Sequence, residues 1–166
     1  MRRFASLLFI AFAALPAAAE AEPLSLTPAQ LGEVFCISRL AGDAGPIEGL
    51  LTPAFAAAIA EAEEHNAAIQ SAHPDEKPPL GDGIPWQSAP DYAARCTAGT
   101  VDISGDVATV AIGYGFPDYP EADFTDTLQL RPVADPLGGS PRWRIDNVAY
   151  ADGEDLRAAL VSAFTH

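Results

Sequence analysis

The sequence predicts an α+β fold in which N-terminal helices pack on a curved four-stranded antiparallel sheet and a short helix closes the chain. Two observations lead to this prediction. Apolar residues recur at helical spacing in the first half of the 166-residue chain, and they alternate at strand spacing in the second half. Helices and strands that are segregated along a chain are typical of α+β domains.

The first 19 residues have the pattern of a secretory signal peptide. A basic pair precedes an apolar run over residues 4–15, and three alanines at residues 17–19 give a small-residue cleavage site. The apolar run is too short to span a bilayer, which takes about 20 residues. We expect cleavage after Ala19, with Ala21 as a second site, and export of residues 20–166 to the periplasm as a single domain.

The chain is strongly acidic, with 23 Asp and Glu residues against nine Lys and Arg residues and a net charge of −14. Such a surface repels nucleic-acid phosphates and anionic lipid headgroups, so neither nucleic acid nor a membrane is an expected partner of the mature domain. Cationic partners and cationic ligands stay open. A charged surface that keeps an exported protein in solution accounts for the same composition.

Three helices are predicted in the first half. Thr27 and Thr52 each precede a proline, which places an N-cap before the first helical residue. A glycine-rich segment ends the first helix, and a short helix is expected around residues 47–51. The third helix, over residues 54–71, has Asn66 on the same face as its apolar residues Phe55, Ile59, Ala62 and Ile69.

Residues 73–90 are predicted to form a long loop, because the prolines at this density exclude a helix or a central strand. Trp86 lies in the middle of this loop. An aromatic residue in a loop usually packs on the core, and a long loop held in this way is also where binding residues tend to lie. Both roles stay open for Trp86.

The second half predicts four strands joined in sequence. The first begins at Arg95, a tight turn leads into a second over residues 107–116, and the third covers residues 124–131. The fourth strand has Trp143 and Ile145 facing inward. Asp152 is then expected to cap a closing helix with apolar residues at helical spacing, Leu156, Leu160 and Phe164.

The segment Trp143-Arg144-Ile145-Asp146-Asn147-Val148, followed by Leu156-Arg157-Ala158-Ala159-Leu160, resembles the end of the DUF3828 family of exported bacterial proteins. The segments over residues 50–55 and 105–110 are similar to the NTF2-like (cystatin-like) pattern. The resemblance implies an NTF2-like cone whose exposed sheet face can support a homodimer. Some relatives are thought to act as immunity proteins against secreted toxins, and the family brings no catalytic residues to this chain.

Cys36 and Cys96 are the two cysteines of the chain. In an oxidising compartment an even pair is expected to form a disulfide. Two buried thiols are the alternative, since Cys36 lies in an apolar helical pattern. A zinc site is not expected, because there is no further cysteine and no histidine near either one.

The third strand contains an anomaly at Asp126. Period-two alternation that turns its apolar residues inward also turns Asp126 inward, on the same face as Tyr114 of the preceding strand. A buried carboxylate has to be paired, hydrogen-bonded or near water. An Asp and a Tyr in a pocket could bind a polar ligand or transfer a proton. Alternatively, Asp126 caps a backbone group at the rim of the sheet.

Two further clusters are weaker candidates. Glu61 and His65 have the i, i+4 spacing of metal ligands, although a solvated acidic helix face explains them equally and no metal or cofactor is expected. Asp118, Tyr119 and Glu121 form an acidic segment with one aromatic residue, a candidate surface for a basic partner.

The sequence therefore favours an exported binding or interaction domain that takes a small ligand or an unidentified protein partner. Its candidate pocket residues are Tyr114, Asp126, Trp86 and Asn66. The alternative is a small-molecule enzyme in which Asp126 and Tyr114 exchange protons. No nucleophile motif, phosphate loop or dinucleotide fingerprint is present, so no catalytic residue is predicted. An Asp126 that lines an enclosed cavity of at least about 300 Å³ would support an enzymatic or ligand-binding role for this residue, and an Asp126 that points to bulk solvent would exclude it.

Overall fold

The computed structural model describes residues 25–81, 83–136 and 138–165, so the predicted signal peptide over residues 1–19 lies outside the described residues. Within these ranges the predicted α+β order is confirmed. The elements are α1 Pro28–Ala41, α2 Gly45–Glu48, α3 Pro53–Ala72, β1 Arg95–Ser104, β2 Val107–Gly115, β3 Phe124–Val133, β4 Arg142–Ala149 and α4 Leu156–Ser162, with a short 3₁₀ helix at Pro120–Ala122 between β2 and β3.

The four strands form one antiparallel sheet in the order β1-β2-β3-β4. Helix α1 packs on β1 and β2, and both α3 and α4 contact β4. Alternate residues of β2 and β3 turn toward the helices, so one face of the sheet supplies the core. The fully buried core residues are Leu31, Phe35, Ile47, Phe55, Ala108, Val110, Ile112, Leu128, Leu130, Ile145, Val148 and Leu156.

The predicted Thr-Pro helix starts are both confirmed. Thr27 forms a capping box with Gln30, in which each side chain accepts a hydrogen bond from the backbone N–H of the other. The Thr52 hydroxyl accepts a hydrogen bond from the Phe55 N–H and donates one to Asp146 of β4 at 2.7 Å. The cap of α3 therefore also joins that helix to the sheet.

The predicted cap of α4 was wrong: Asp155 occupies that position, and Asp152 does not. Asp155 Oδ1 accepts a hydrogen bond from the Ala158 N–H at 2.8 Å, whereas Asp152 Oδ1 accepts from the Glu154 N–H within the preceding turn. The reason is that Asp155 still bridges the end of β4, which delays the start of the helix. The short helix α2 also begins earlier than predicted, at Gly45, because Pro46 sits in its first turn.

The predicted disulfide between Cys36 and Cys96 is confirmed, and it joins α1 to β1. Close to it, Gly32 lets α1 approach the sheet. A Cβ atom on Gly32 would lie 2.8 Å from Val110 Cγ1 and 3.0 Å from Ala98 Cβ, closer than carbon atoms can pack. The disulfide therefore holds α1 against the sheet, and the missing side chain of Gly32 allows the close approach.

The close contact at Gly32 predicts that Gly32→Ala destabilises the fold by about 1–3 kcal/mol, although alanine favours a helix. Gly49→Ala is the matched control, because Gly49 has a φ of −71° and no atom of the described residues within 4 Å of its added Cβ. That variant should be unchanged or slightly more stable. Urea unfolding of the two variants measures the difference, and equal stability would contradict the packing argument.

Candidate functional site

The long loop after α3 is anchored on the core by Trp86. Trp86 is buried, and its ring packs edge-to-face against Phe35 of α1 and Phe55 of α3, with centroids 6.3 and 6.0 Å away. Asn66 of α3 fastens the same loop, because its Oδ1 accepts a hydrogen bond from the Leu80 N–H at 2.9 Å. Asn66, predicted as a pocket residue, thus holds the loop.

Asp126 faces inward as its strand position predicts, and only 1% of it is exposed. Its carboxylate accepts three hydrogen bonds: from the Ser88 N–H at 2.9 Å, from the Ser88 hydroxyl at 2.7 Å and from the Ala151 N–H at 3.0 Å. It therefore ties the long loop and the turn after β4 to the beginning of β3. Asp126 lines neither of the two cavities around Trp86 that are described below.

Tyr114 shares the inner face with Asp126 but is not bonded to it. Tyr114 lies opposite Phe124 in the β2–β3 register and stacks on its ring at 4.6 Å, while Asp126 lies opposite Ile112. The Tyr114 hydroxyl is buried and has no hydrogen-bond partner among the described residues. Burial, and then the charge of Asp126, raise the pKa of Tyr114 well above its usual range, so this phenol is neutral at physiological pH.

Two adjoining cavities surround Trp86, with volumes of about 460 and 410 Å³. We call them together the Trp86 groove, defined by the residues that line both: Arg39, Gly83, Ile84, Trp86 and Tyr92. The larger cavity extends along α2 and α3, where Leu51, Ile59, Glu48 and Glu63 line it. The smaller one extends along the loop, past Lys77, Leu80 and Gln87.

Arg39 is the charged group that both cavities share. It lies in the last turn of α1 and is only 8% exposed. Its guanidinium carries five N–H donors. Nη2 donates to Gln87 Oε1 at 3.4 Å, and the Tyr114 hydroxyl lies near enough to interact with the guanidinium, although not at normal hydrogen-bond distance. The guanidinium carbon also lies 5.5 Å from the centre of the exposed Tyr92 ring. The Nε–H is buried and has no partner among the described residues.

Gln87 holds the loop in the shape that brings it to Arg39. Its amide nitrogen donates to the carbonyl of Ala89 at 2.9 Å and to the carbonyl of Asp91 at 2.6 Å, which leaves its oxygen facing Arg39. Sequence reasoning missed both residues. A signal for Arg39 exists, since Leu31, Phe35 and Arg39 form an i, i+4, i+8 row on the buried face of α1. No comparable signal marks Gln87.

The remaining predicted residues lie away from the groove. Asp118, Tyr119 and Glu121 are exposed around the 3₁₀ helix, with Tyr119 65% exposed. The His65 ring packs on Phe164 at 5.1 Å. Within the described ranges, no group of three or more His, Cys, Asp or Glu residues is arranged to hold a metal ion, and no helix is long and apolar enough to cross a bilayer.

Comparisons with protein-family models, with curated proteins and with solved structures found no match to this chain.

The hydrogen bonds to Asp126 predict that Asp126→Asn lowers the free energy of unfolding by about 2–4 kcal/mol, because an amide cannot satisfy the same three donors. Hydrogen exchange should also become faster at the Ser88 and Ala151 amides, whose acceptor is lost. Asp118→Asn, an exposed substitution of the same kind, is the control and should change neither quantity. Unchanged exchange at Ser88 would show that Asp126 does not anchor the loop.

The raised pKa values of the two buried tyrosines predict a loss of stability at high pH. Burial first, and then Asp126, raise the pKa of Tyr114 and Tyr150 above the ordinary value of 10.0. The folded state therefore holds these protons more tightly than the unfolded chain. This stabilisation is complete below about pH 10 and is lost as the pH rises further.

Ultraviolet absorbance follows the ionisation of the phenols as the pH is raised. In the wild type, part of the absorbance change should coincide with alkaline unfolding, and Tyr114→Phe should make that part smaller. If Tyr114→Phe instead removed absorbance change from the phase that precedes unfolding, Tyr114 would not be a buried, neutral phenol.

Proposed function

We propose that this protein is an exported, non-enzymatic domain that binds one small organic ligand in the Trp86 groove. The observation that carries the proposal is the pair of cavities of about 460 and 410 Å³ that share five lining residues. Ligand sites in proteins typically occupy about 300–1,000 Å³, with apolar and aromatic walls and a few polar groups. Trp86, Ile84, Ile59 and Leu51 supply the apolar walls, and Arg39 is the charged group at the junction.

Binding is favoured over catalysis because Asp126 and Tyr114, the pair of the enzyme alternative, do not form a proton-transfer pair and do not line the groove. The enzyme alternative uses Asp126 with Tyr114, and three hydrogen bonds already occupy the Asp126 carboxylate. The Tyr114 pKa is raised, so Tyr114 is a poor base at neutral pH. A ligand that enters beside Trp86 meets neither group among the residues lining the two cavities.

Export to the periplasm is the second part of the proposal. It is supported by the signal-peptide pattern of the first 19 residues and by a disulfide that suits an oxidising compartment. The resemblance to DUF3828 proteins of the NTF2-like type agrees with an exported binding domain. An immunity-type protein partner would use a different surface, the exposed segment with Asp118, Tyr119 and Glu121, and only the exposure of that segment supports it.

Blocking the groove tests this function. Ala60 is exposed on α3 and lines the larger cavity, so Ala60→Trp should fill the cavity from the helix surface. Ala57→Trp is the matched control, because Ala57 is exposed on the same helix and does not line the groove. With a set of neutral and charged aromatic fragments, we expect amide chemical-shift changes at Gly83 and Ile84 in the wild type and in Ala57→Trp.

In Ala60→Trp the affinity for the same fragments should fall by at least about tenfold, which is about 1.4 kcal/mol. Circular dichroism checks that both variants stay folded. Fragment binding that persists unchanged in Ala60→Trp would place the ligand outside the groove. The absence of shifts at Gly83 and Ile84 with every fragment would count against a ligand-binding function.

A further inference from the structure

We infer that the ligand of the Trp86 groove is a monocarboxylate with an apolar body, and that its carboxylate binds the Arg39 guanidinium. The inference rests on the proposed function, since it names the class of ligand for that groove. It is carried by a buried positive charge that no acidic group of the described residues neutralises, placed where the two cavities meet.

Among the described residues Arg39 is the one buried arginine, and the partly buried Arg144, which also has no ion pair, donates to the Trp143 carbonyl at 3.2 Å. Arg131, Arg142 and Arg157 each form an ion pair with an aspartate. No carboxylate oxygen of the described residues lies within the 4.0 Å ion-pair distance of Arg39, although the chain has 23 acidic residues. A charge that is buried without a partner is costly, so such a group is retained where a counter-charge arrives from elsewhere.

The groups near Arg39 do not supply that counter-charge. Glu48 and Glu63 line the larger cavity with Arg39 but form no ion pair with it. The Tyr114 hydroxyl lies near enough to the Arg39 guanidinium to interact with it, but burial raises the pKa of Tyr114, so the phenol stays protonated and carries no charge. Gln87 is neutral, and its single hydrogen bond to Arg39 is long. The C-terminal end of α1 offers only a partial negative charge. A ligand anion would therefore be the full counter-charge of Arg39.

The surroundings of Arg39 favour a carboxylate with a single charge. A planar guanidinium matches a planar carboxylate in two parallel hydrogen bonds. Glu48 and Glu63 line the larger cavity and would repel a negative charge that lies away from Arg39, so only a carboxylate placed against the guanidinium is favoured. Trp86, Ile84 and Ile59 would contact an apolar body, for which an aromatic ring or a short branched chain is suitable.

Phenylacetate and phenylacetamide have nearly the same shape and differ in charge, so a comparison of their affinities isolates the contribution of the ligand's charge. We expect phenylacetate to bind at Gly83 and Ile84 about 10- to 100-fold more tightly than phenylacetamide, which is the range that a charged hydrogen bond contributes. Arg39→Met should remove this preference, and Arg39→Lys should keep part of it. Arg95→Met is the control for net charge, since Arg95 is exposed on β1 and lines neither cavity of the groove, and it should keep the full preference.

Thermal unfolding without ligand gives a second readout. If Arg39 is an uncompensated charge, Arg39→Met should melt at the wild-type temperature or above it, as expected when a binding residue is kept at the expense of stability. A markedly lower melting temperature of Arg39→Met would assign Arg39 to the core structure and overturn the inference.

The results for the wild type distinguish a failure of the carboxylate inference from a failure of the proposed function. Equal binding of phenylacetate and phenylacetamide, or tighter binding of inorganic phosphate than of phenylacetate, overturns the carboxylate inference and leaves the groove as a ligand site. If neither these probes nor any fragment shifts Gly83 and Ile84, the proposed function itself fails. A preference for phenylacetate over phenylacetamide that is lost in Arg39→Met and kept in Arg95→Met supports both the carboxylate inference and the proposed function.

Discussion

The buried carboxylate of Asp126 is the constraint on which the arrangement of the groove depends. A carboxylate that is 1% exposed needs hydrogen-bond donors, and the sheet cannot supply them, because the backbone of β3 is already paired with β2 and β4. Ser88 and Ala151 supply the donors from the two segments that cross over this end of the sheet. Fixing Ser88 also fixes its neighbours Trp86 and Gln87, so a long proline-rich segment has one conformation above the core.

The two buried charged groups, Asp126 and Arg39, therefore differ in how completely their hydrogen-bonding atoms are satisfied. Asp126 is fully satisfied by neutral donors and contributes to the fold. Arg39 has one long hydrogen bond, a ring of Tyr92 beside it and open space in front of it. The satisfied group contributes to the fold, and we propose the unsatisfied group for binding, since an uncompensated charge lowers stability unless a ligand neutralises it. This assignment reverses the roles that the strand pattern suggested, which drew attention to Asp126.

Much of the fold was predictable from local patterns. The Thr-Pro pairs located the starts of α1 and α3, and period-two alternation placed Asp126 on the inner face of β3. The site was less predictable, because its contacts join segments with no periodicity: Ser88 is 38 residues from Asp126, and Gln87 is 48 residues from Arg39. The helical row with Leu31 and Phe35 predicts that Arg39 lies on the buried face of α1. An arginine near a helix C-terminus is, however, commonly a solvated residue that caps the helix, so this row alone does not identify Arg39 as a site residue.

The disulfide constrains the part of the chain that lines the Trp86 groove. Cys36 lies one helical turn before Arg39, and its bond to Cys96 closes a loop that contains α2, α3 and the long loop, which together with the end of α1 form the groove. Closing a loop with a separation of 60 residues removes about 4 kcal/mol of chain entropy from the unfolded state. A chain made in a reducing compartment lacks this constraint. Reduction of this one bond should therefore lower the free energy of unfolding of the part of the fold that contains the groove.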